Sequence, residues 1–246
     1  MKIALFSDIH ANLPAFEAML RDLDTRKPDA VYCLGDMIGY NVHPNEVIAE
    51  IRNRAITSIA GNHDLKVIDL SPLTDKQLAT SGKNFAYHIV TAHNTDYLST
   101  LPANIRLEFQ LNPSKLNILL AHGSPRSVNE YVLIDTDESY ILELMHEAKT
   151  DILCVGHSHK PYHRAIKKDD GLYAHVINIG SVGKPKDGNA MGCYVLLSIN
   201  KESSLIDKSG IKVEFIRFEY DIEKAATAIE NSPLPNEFAE RLRKAY

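Results

Sequence analysis

The sequence predicts an α/β fold built around parallel strands, and three features of its hydrophobic patterning support this. Short apolar, β-branched segments alternate with segments of helical spacing over the first 60 residues. The alternation returns between residues 116 and 155, and strand follows strand from residue 162 onward. Strand–helix–strand order with short connections implies parallel pairing and right-handed crossovers. The later strands instead predict an antiparallel meander that extends the sheet or forms a second one.

The elements follow from the chain in order. Apolar runs predict strands at Lys2–Phe6, Ala30–Leu34, Ala55–Ala60, Leu116–Ala121 and Ile152–Val155, and later at Tyr162–Ile166, Leu172–Ile179, Cys193–Ile199 and Val213–Tyr220. Helical spacing predicts helices at Leu13–Asp24, Pro44–Arg52 and Asp137–Ala148. The C-terminal segment Ile222–Tyr246 is predicted to form one or two helices, broken near Pro233 and Pro235.

The segment from Leu65 to Ile105 interrupts the alternation. It is predicted to be largely helical, around Asp75–His93 and Thr95–Leu101, without a clear partner strand. We interpret it as a helical insertion, at about residues 65–105, over one edge of the functional site. No linker, repeat or low-complexity tract divides the chain, so a single domain spanning residues 1–246 is predicted.

Composition narrows the function classes. The chain is 44% hydrophobic and 24% charged, as is usual for globular proteins, and its net charge of −5 gives no reason to expect nucleic acid or an anionic membrane as a partner. No apolar run has the length of a bilayer span, and no signal-peptide pattern opens the chain. Cys33, Cys154 and Cys193 lie in apolar runs and predict reduced core thiols. We therefore expect a cytoplasmic protein.

Polar motifs follow the predicted strands where these strands end. They are Asp8-Ile9-His10, Gly35-Asp36, Gly61-Asn62-His63-Asp64 and Gly156-His157-Ser158-His159, with His122 after a further strand. Ligands usually lie at the carboxyl ends of parallel strands, so we expect these side chains to converge. If the first strand continued, Asp8 and His10 would share one face because strand side chains alternate. The set has enough ligands for two metal ions that share Asp36 as a bridge.

Each motif taken alone has a simpler explanation. An Asp-x-His pair can be a strand-end hydrogen bond, Gly-Asp is a common turn dipeptide, and Gly-Asn-His-Asp can be a polar turn. The metal hypothesis is favoured because five independent turns would otherwise carry metal-compatible side chains by accident. Nitrogen and oxygen ligands without thiolate suit divalent transition metals but do not select among Mn²⁺, Fe, Zn²⁺, Ni²⁺ and Co²⁺. Of these, we take Mn²⁺ as the first choice.

At these residues the chain resembles the calcineurin-like metallophosphoesterases, and most closely their small bacterial and archaeal phosphodiesterase-like branch. The family pattern is Asp-x-His, Gly-Asp, Gly-Asn-His-Asp/Glu, a later His and Gly-His-x-His, which occur here in that order. The branch also carries His-Gly-Ser/Thr-Pro, present from His122 to Pro125. Its Asn-Pro-Gly-Ser-Val-Gly-x-Pro-Arg run stands at residues 178–186, where Ile179 replaces Pro and Lys186 replaces Arg.

The resemblance implies a four-layer αββα sandwich, in which two mixed β-sheets pack face to face with flanking helices. It also implies two ligand sets that share one carboxylate. The first set is Asp8, His10, Asp36 and His159, and the second is Asp36, Asn62, His122 and His157.

His63 and Asp64 are the predicted catalytic residues. His63 would protonate the leaving oxygen or stabilise phosphoryl charge, with Asp64 orienting or charging it; the alternative for His63 is a structural role. Asn12 is predicted to bind substrate phosphate, with capping of the helix at Leu13 as an equal alternative. Tyr40 lies in a site loop and either contacts substrate or closes that loop.

These residues together predict a dinuclear metal-dependent phosphoesterase. It would hydrolyse a small phosphomonoester or phosphodiester by attack of a metal-bridging hydroxide. The alternatives are a non-catalytic metal-binding scaffold of the same fold, a nuclease or a phosphoprotein phosphatase. A nuclease would need a basic, aromatic-lined groove, and no concentrated Lys/Arg tract predicts one. The oligomeric state is left open, and a homo-oligomer is possible.

Overall fold

The computed structural model describes residues 1–68, 70–111 and 115–246. Within these ranges, ten strands form two five-stranded mixed sheets. The first sheet contains β1 (Lys2–Phe6), β2 (Ala30–Cys33), β3 (Thr57–Ser58), β9 (Gly192–Ser198) and β10 (Lys212–Phe218), in the order β10-β9-β1-β2-β3. The second contains β4 (Asn104–Gln110), β5 (Lys115–Ala121), β6 (Ile152–Val155), β7 (Tyr162–Lys167) and β8 (Tyr173–Asn178), in the order β4-β5-β6-β8-β7.

The helices connect and cover these strands. They are α1 (Leu13–Arg26), α2 (Pro44–Asn53), α3 (Asn62–Leu65), α4 (Asp75–Leu78), α5 (Phe85–His88), α6 (Ala92–Ser99), α7 (Glu138–Glu147), α8 (Ile222–Glu230) and α9 (Glu237–Lys244), with a 3₁₀ turn at Gly82–Asn84. In the part of the chain that the structure describes, no helix is both long and apolar enough to cross a membrane.

Side-chain alternation along the strands separates three hydrophobic layers. Leu5 and Leu120 lie in the core between the sheets, whereas their neighbours Phe6 and Leu119 face the outer helices. The outer face of the first sheet is covered by α1 and α2, and that of the second by α7. Both faces of the central strands β1, β6, β8 and β9 are thus buried, which explains why these strands appear in sequence as continuous apolar runs. The predicted four-layer sandwich is confirmed.

Parallel pairing is as predicted for the first three strands and for β5 with β6, but β8, which was predicted to lie in an antiparallel meander, also pairs in parallel. β1, β2 and β3 pair in parallel in the first sheet, and β5, β6 and β8 pair in parallel in the second. The predicted meander is wrong, because the later strands are divided between the sheets. β7 and β8 extend the second sheet, while β9 returns to pair antiparallel with β1 and β10.

The segment between β3 and β4 differs from its predicted form. The continuous helix predicted at Asp75–His93 is wrong, since α4, the 3₁₀ turn and α5 are separate short pieces and α6 begins at Ala92. β4 was not predicted, although its sequence alternates between exposed polar and half-buried apolar side chains, as a strand at the edge of a sheet should. The third strand is also shorter than predicted.

Candidate metal centre

The seven predicted ligands come from loops at the carboxyl ends of strands in both sheets. From the first sheet, Asp8 and His10 follow β1, Asp36 follows β2, and Asn62 begins α3 just after β3. From the second sheet, His122 follows β5, and the paired histidines at 157 and 159 follow β6. The centre is therefore assembled across the interface between the two sheets.

The first group of ligand atoms comes from Asp8, His10 and His159. The Nε2 atoms of His10 and His159 lie 3.1 Å apart, and Oδ1 of Asp8 lies 3.5 and 3.1 Å from them, respectively. All three side chains are at most 2% exposed. Among the described residues, Asp8 Oδ1 has no hydrogen-bond partner, which fits an atom that coordinates a cation.

The second group comes from Asp36, Asn62, His122 and His157. Nε2 of His122 lies 3.3 Å from Asp36 Oδ2 and 3.1 Å from Asn62 Oδ1. His157 has a ligand atom within 4.8 Å of those of Asp36 and His122, and its buried Nε2 has no hydrogen-bond partner within the described ranges. Asp36 Oδ2 is also 3.8 Å from His10 Nε2, so this carboxylate lies between the two groups.

Hydrogen bonds to the backbone orient three of the imidazoles. Each ring donates its Nδ1 proton to a carbonyl oxygen: His10 to Ile38 at 3.0 Å, His122 to Leu34 at 2.7 Å, and His159 to Lys184 at 2.5 Å. In the neutral ring Nε2 then carries the lone pair, and in all three residues it faces a carboxylate. Metal-ligating histidines are usually fixed by such a hydrogen bond on the second nitrogen. The donor set therefore fits divalent transition-metal ions.

The electrostatics of the centre favour a cation. Burial alone would raise the pKa of Asp8, but His159 and His10 hold it well below its usual range. The imidazoles of His122 and His63 likewise hold the pKa of Asp36 low against the effect of burial. Burial alone would lower the pKa of His122, yet Asp36 raises it to about 10. Two ionised carboxylates thus lie in a water-poor site, where a positive charge is strongly favoured.

The backbone brings the ligands together in an unusual conformation. Asp8, His10, Asp36, His157 and His159 have φ between 50° and 62°, in the left-handed region that non-glycine residues rarely occupy. β1 ends at Phe6, so the expectation that a continuing strand aligns Asp8 with His10 is wrong. Left-handed turns, rather than strand alternation, make these side chains converge.

Glycine is required where two of these loops touch. A Cβ atom on Gly61 would lie 2.2 Å from Asp36 Oδ1, and one on Gly156 would lie 2.7 Å from Asp8 Oδ2. Both distances are far below van der Waals contact. The Gly that precedes Asn62 and the Gly that precedes His157 are thus part of the centre, since they allow backbone to approach the carboxylates.

His63 lies beside the proposed ligands and has a partner that the sequence did not indicate. Its Nε2 is 4.0 Å from Asp36 Oδ2, and its Nδ1 forms a 2.6 Å hydrogen bond with the hydroxyl of Tyr87 on α5. Burial lowers the pKa of His63 well below its usual range, although Asp36 opposes this effect, so the ring is neutral at neutral pH. The catalytic role of His63 stays a prediction.

Asp64 makes its contacts elsewhere. Its carboxylate accepts hydrogen bonds from the backbone N–H groups of Asp36 at 2.7 Å, Met37 at 2.9 Å and Gly61 at 3.0 Å. Burial and the nearby charge of Asp36 raise the pKa of Asp64 to about 7. These contacts join the loops after β2 and β3, so Asp64 supports the loop that carries Asp36. Among the described residues, Asp64 makes no direct hydrogen bond to the His63 side chain through which it could orient that ring.

The contacts of Asn12 favour the capping alternative. The side chain is fully buried, its Oδ1 accepts from the Ala15 N–H at 3.2 Å, and its amide donates to the Gly183 carbonyl at 2.8 Å. Both ends are thus engaged in holding α1 against the loop after β8. Tyr40 is half-buried, with its ring centroid 4.8 Å from those of both His10 and His63, so it packs against the centre.

Comparison with known proteins identifies the class. The family model described as the calcineurin-like phosphoesterase superfamily domain matches residues 1–202. An uncharacterized protein of Methanocaldococcus jannaschii is 32% identical over 257 aligned positions, covering 98% of this chain and 96% of that protein. The chain therefore belongs to the calcineurin-like phosphoesterase superfamily.

Solved structures agree with this assignment. A metallophosphoesterase from Sphaerobacter thermophilus is 25% identical, with a TM-score of 0.77 over 100% of this chain and 99% of that one. A hypothetical protein from Pyrococcus horikoshii, 23% identical, has the same TM-score of 0.77 over 100% of this chain and 98% of that one, and it shares the fold. The similarity thus extends over the whole of the chain.

Proposed function

We propose that this protein is a dinuclear metal-dependent phosphoesterase that hydrolyses small phosphomonoesters or phosphodiesters. The observation that carries the proposal is the arrangement around Asp36. Three imidazoles, each fixed through Nδ1, direct Nε2 towards two buried carboxylates, and one of these carboxylates lies between both ligand groups. Membership of the phosphoesterase superfamily supports hydrolysis rather than metal storage.

The proposed ligands are divided between two metal ions in the same way as the two groups of ligand atoms described above. Asp8, His10 and His159 would hold one ion, Asn62, His122 and His157 the other, and Asp36 both. Two such ions, with Mn²⁺ as first choice, would neutralise the phosphate oxygens and lower the pKa of the attacking water. The neutral amide of Asn62 keeps the negative charge facing an anionic ester lower than a third carboxylate would.

His63 would act on the leaving oxygen. A neutral imidazole carries a single N–H proton. If the Tyr87 hydroxyl donates its hydrogen bond to Nδ1 of His63, the ring proton lies on Nε2, which is the nitrogen that faces Asp36. A hydrogen bond from Nε2 to the leaving oxygen would stabilise the charge that develops there. His63 thus contributes a donor without serving as a ligand.

The proposed cellular setting is the cytoplasm, with a small phosphoester as the substrate. Cys33, Cys154 and Cys193 are free and buried, and burial raises the pKa of each thiol. Such thiols are inert and suit a reducing compartment. The net charge of −5 supports a small substrate over a polyanionic one.

The proposal is tested by metal analysis and an ester panel. The purified protein is stripped with a chelator, reloaded with Mn²⁺, and assayed on nitrophenyl phosphate and bis(nitrophenyl) phosphate. We expect turnover only after reloading. Asp36→Asn should lose metal and more than about 100-fold in kcat/KM, because even outer partners of metal ligands contribute 10–100-fold. Asp169→Asn, in the exposed turn after β7, is the matched control.

Two outcomes would contradict the proposal. Full activity in a preparation shown to be free of metal would exclude the mechanism. Stoichiometric metal without turnover of any ester would favour the non-catalytic scaffold instead.

A further inference from the structure

Tyr131 is an exposed aromatic residue in contact with the candidate metal centre. It lies in the loop between β5 and α7, and 52% of its surface is exposed. Its ring stacks on that of the proposed ligand His157, with centroids 4.1 Å apart and an interplanar angle of 23°. Because His157 covers one ring face, the stacking surface left for another molecule is the opposite face.

The loop holds Tyr131 in place from both sides. On one side, the carboxylate of Glu130 accepts hydrogen bonds from Ser124 and Tyr140. On the other side, the carbonyl of the buried Val132 accepts a 2.6 Å hydrogen bond from the hydroxyl of Tyr162. An aromatic ring that is positioned in advance loses little conformational entropy when it binds a ligand.

The start of the same loop is tightly wound. A Cβ atom on Gly123 would lie 2.6–2.7 Å from the carbonyl oxygens of Ser127, Val128 and Glu130. The path from the ligand His122 to Tyr131 is therefore fixed by backbone packing as well as by side-chain hydrogen bonds. The backbone that carries Tyr131 is thus packed in a defined position relative to His122.

The surroundings of Tyr131 suit an apolar, planar group. In the same loop Leu133 and Ile134 are 37% and 63% exposed, whereas Val132, between Tyr131 and Leu133, is buried in the core. A neutral aromatic face beside a site for anionic phosphate is the combination by which proteins stack planar groups attached to phosphates.

We propose that Tyr131 determines specificity by stacking against a planar aromatic group carried by the phosphoester. The substrate class is then phosphoesters with an aryl or nucleobase substituent, in preference to those with saturated substituents of equal size. This inference rests on the proposed function, because it places the phosphate at the metal centre. It assigns to the loop after His122 a role in choosing the substrate.

The test compares ligands that differ only in aromaticity. Benzylphosphonate and cyclohexylmethylphosphonate are titrated into the Mn²⁺-loaded full-length protein by calorimetry; neither can be hydrolysed at a P–O–C bond. We expect the aromatic ligand to bind at least about 5-fold more tightly, since stacking of one base on an aromatic side chain contributes roughly this much or more. Tyr131→Phe should keep the preference, and Tyr131→Leu should abolish it.

Turnover is measured on the matching esters, benzyl phosphate and cyclohexylmethyl phosphate. Both release alkoxides of similar basicity, so a difference in KM reports binding of the substituent rather than leaving-group chemistry. Adenosine monophosphate against ribose phosphate tests a nucleobase in the same way. Preference in either pair, lost in Tyr131→Leu, supports the proposal and identifies the aromatic group.

The metal content of the Tyr131→Leu variant shows whether Tyr131 selects the substrate or only supports the proposed ligand His157. If Tyr131→Leu loses Mn²⁺, or weakens both phosphonates equally, the residue supports the ligand and the inference is overturned. Equal affinity of the wild type for all paired ligands also overturns it. Phosphonate discrimination without hydrolysis of any ester would leave this inference standing and contradict the proposed function.

Discussion

Removing the Tyr87 hydroxyl tests whether His63 stabilises the leaving oxygen through the proton on its Nε2 atom. In Tyr87→Phe, Nδ1 of His63 loses its 2.6 Å partner, while the stacked ring, whose centroid is 5.8 Å from that of His63, remains. His63 is only 7% exposed, so water replaces the hydroxyl poorly. Leaving a buried polar atom unsatisfied costs about 1–3 kcal/mol. If that cost falls on the transition state, kcat drops by roughly 5–150-fold, since 1.4 kcal/mol is a factor of ten.

The assay compares leaving groups. His63→Ala should lose about 10²–10⁴-fold in kcat, the usual range for a general acid or base, and Tyr87→Phe should lose less. Both losses should be larger for an alkyl phosphate than for a nitrophenyl ester, whose leaving oxygen needs little stabilisation. Tyr173→Phe, at the end of β8 away from the ligands, is the control. Equal losses for both leaving groups, or a loss of Mn²⁺ in Tyr87→Phe, would refute the reasoning.

Three further substitutions test the support of the centre. The Asp64 carboxylate accepts hydrogen bonds from the N–H groups of Asp36, Met37 and Gly61, and Asp64→Asn removes its charge. We expect the affinity for Mn²⁺, measured by calorimetry, to fall about 10–100-fold. Unchanged affinity would exclude a supporting role for Asp64. Asn12→Ala should lower the free energy of unfolding by about 1 kcal/mol or more, because the cap of α1 is lost, and should leave KM unchanged. A raised KM at unchanged stability would instead support a contact between Asn12 and the substrate phosphate. Gly61→Ala should lose metal because its Cβ would overlap Asp36, whereas Gly82→Ala, where the added atom meets open space, should retain it.

The sequence predicted which residues converge but not how they do so. Four motifs at strand ends were enough to place carboxylates and imidazoles together, because parallel strands present their carboxyl ends on one edge. The left-handed conformations of Asp8, His10, Asp36, His157 and His159 could not be predicted. They depend on hydrogen bonds between separate loops, such as Asp8 N–H to the Gly35 carbonyl at 3.0 Å.

The sheet assignment of the later strands depends equally on non-local pairing. β8 and β9 are neighbours in sequence and similar in apolar character, yet β8 pairs with β6 and β9 with β1. Local periodicity carries no information on this choice. β4 is a different case, because its period-2 alternation was visible, and only the helical composition of the residues before it obscured the strand.

The sequence did not indicate that Tyr87 and Tyr131 contact the candidate metal centre, and the reason is physical. Neither lies in a ligand motif, and each reaches the centre from a segment whose own packing positions it. The segment that carries Tyr87 is anchored by Val67 and Leu98, which are buried in the core outside the first sheet. The packing of this segment against the core thus places the Tyr87 hydroxyl beside His63.

The two tyrosines also contact different parts of the centre. Tyr87 contacts His63, which groups with His10 and Asp36, whereas Tyr131 covers His157, which groups with Asp36 and His122. Asp36 is common to both groups, so a phosphate bound beside it would lie between a hydrogen-bonding group and an aromatic surface. The residues proposed as metal ligands would fix the phosphate, Tyr87 on α5 would position the proton of His63, and Tyr131 would select what the phosphate carries.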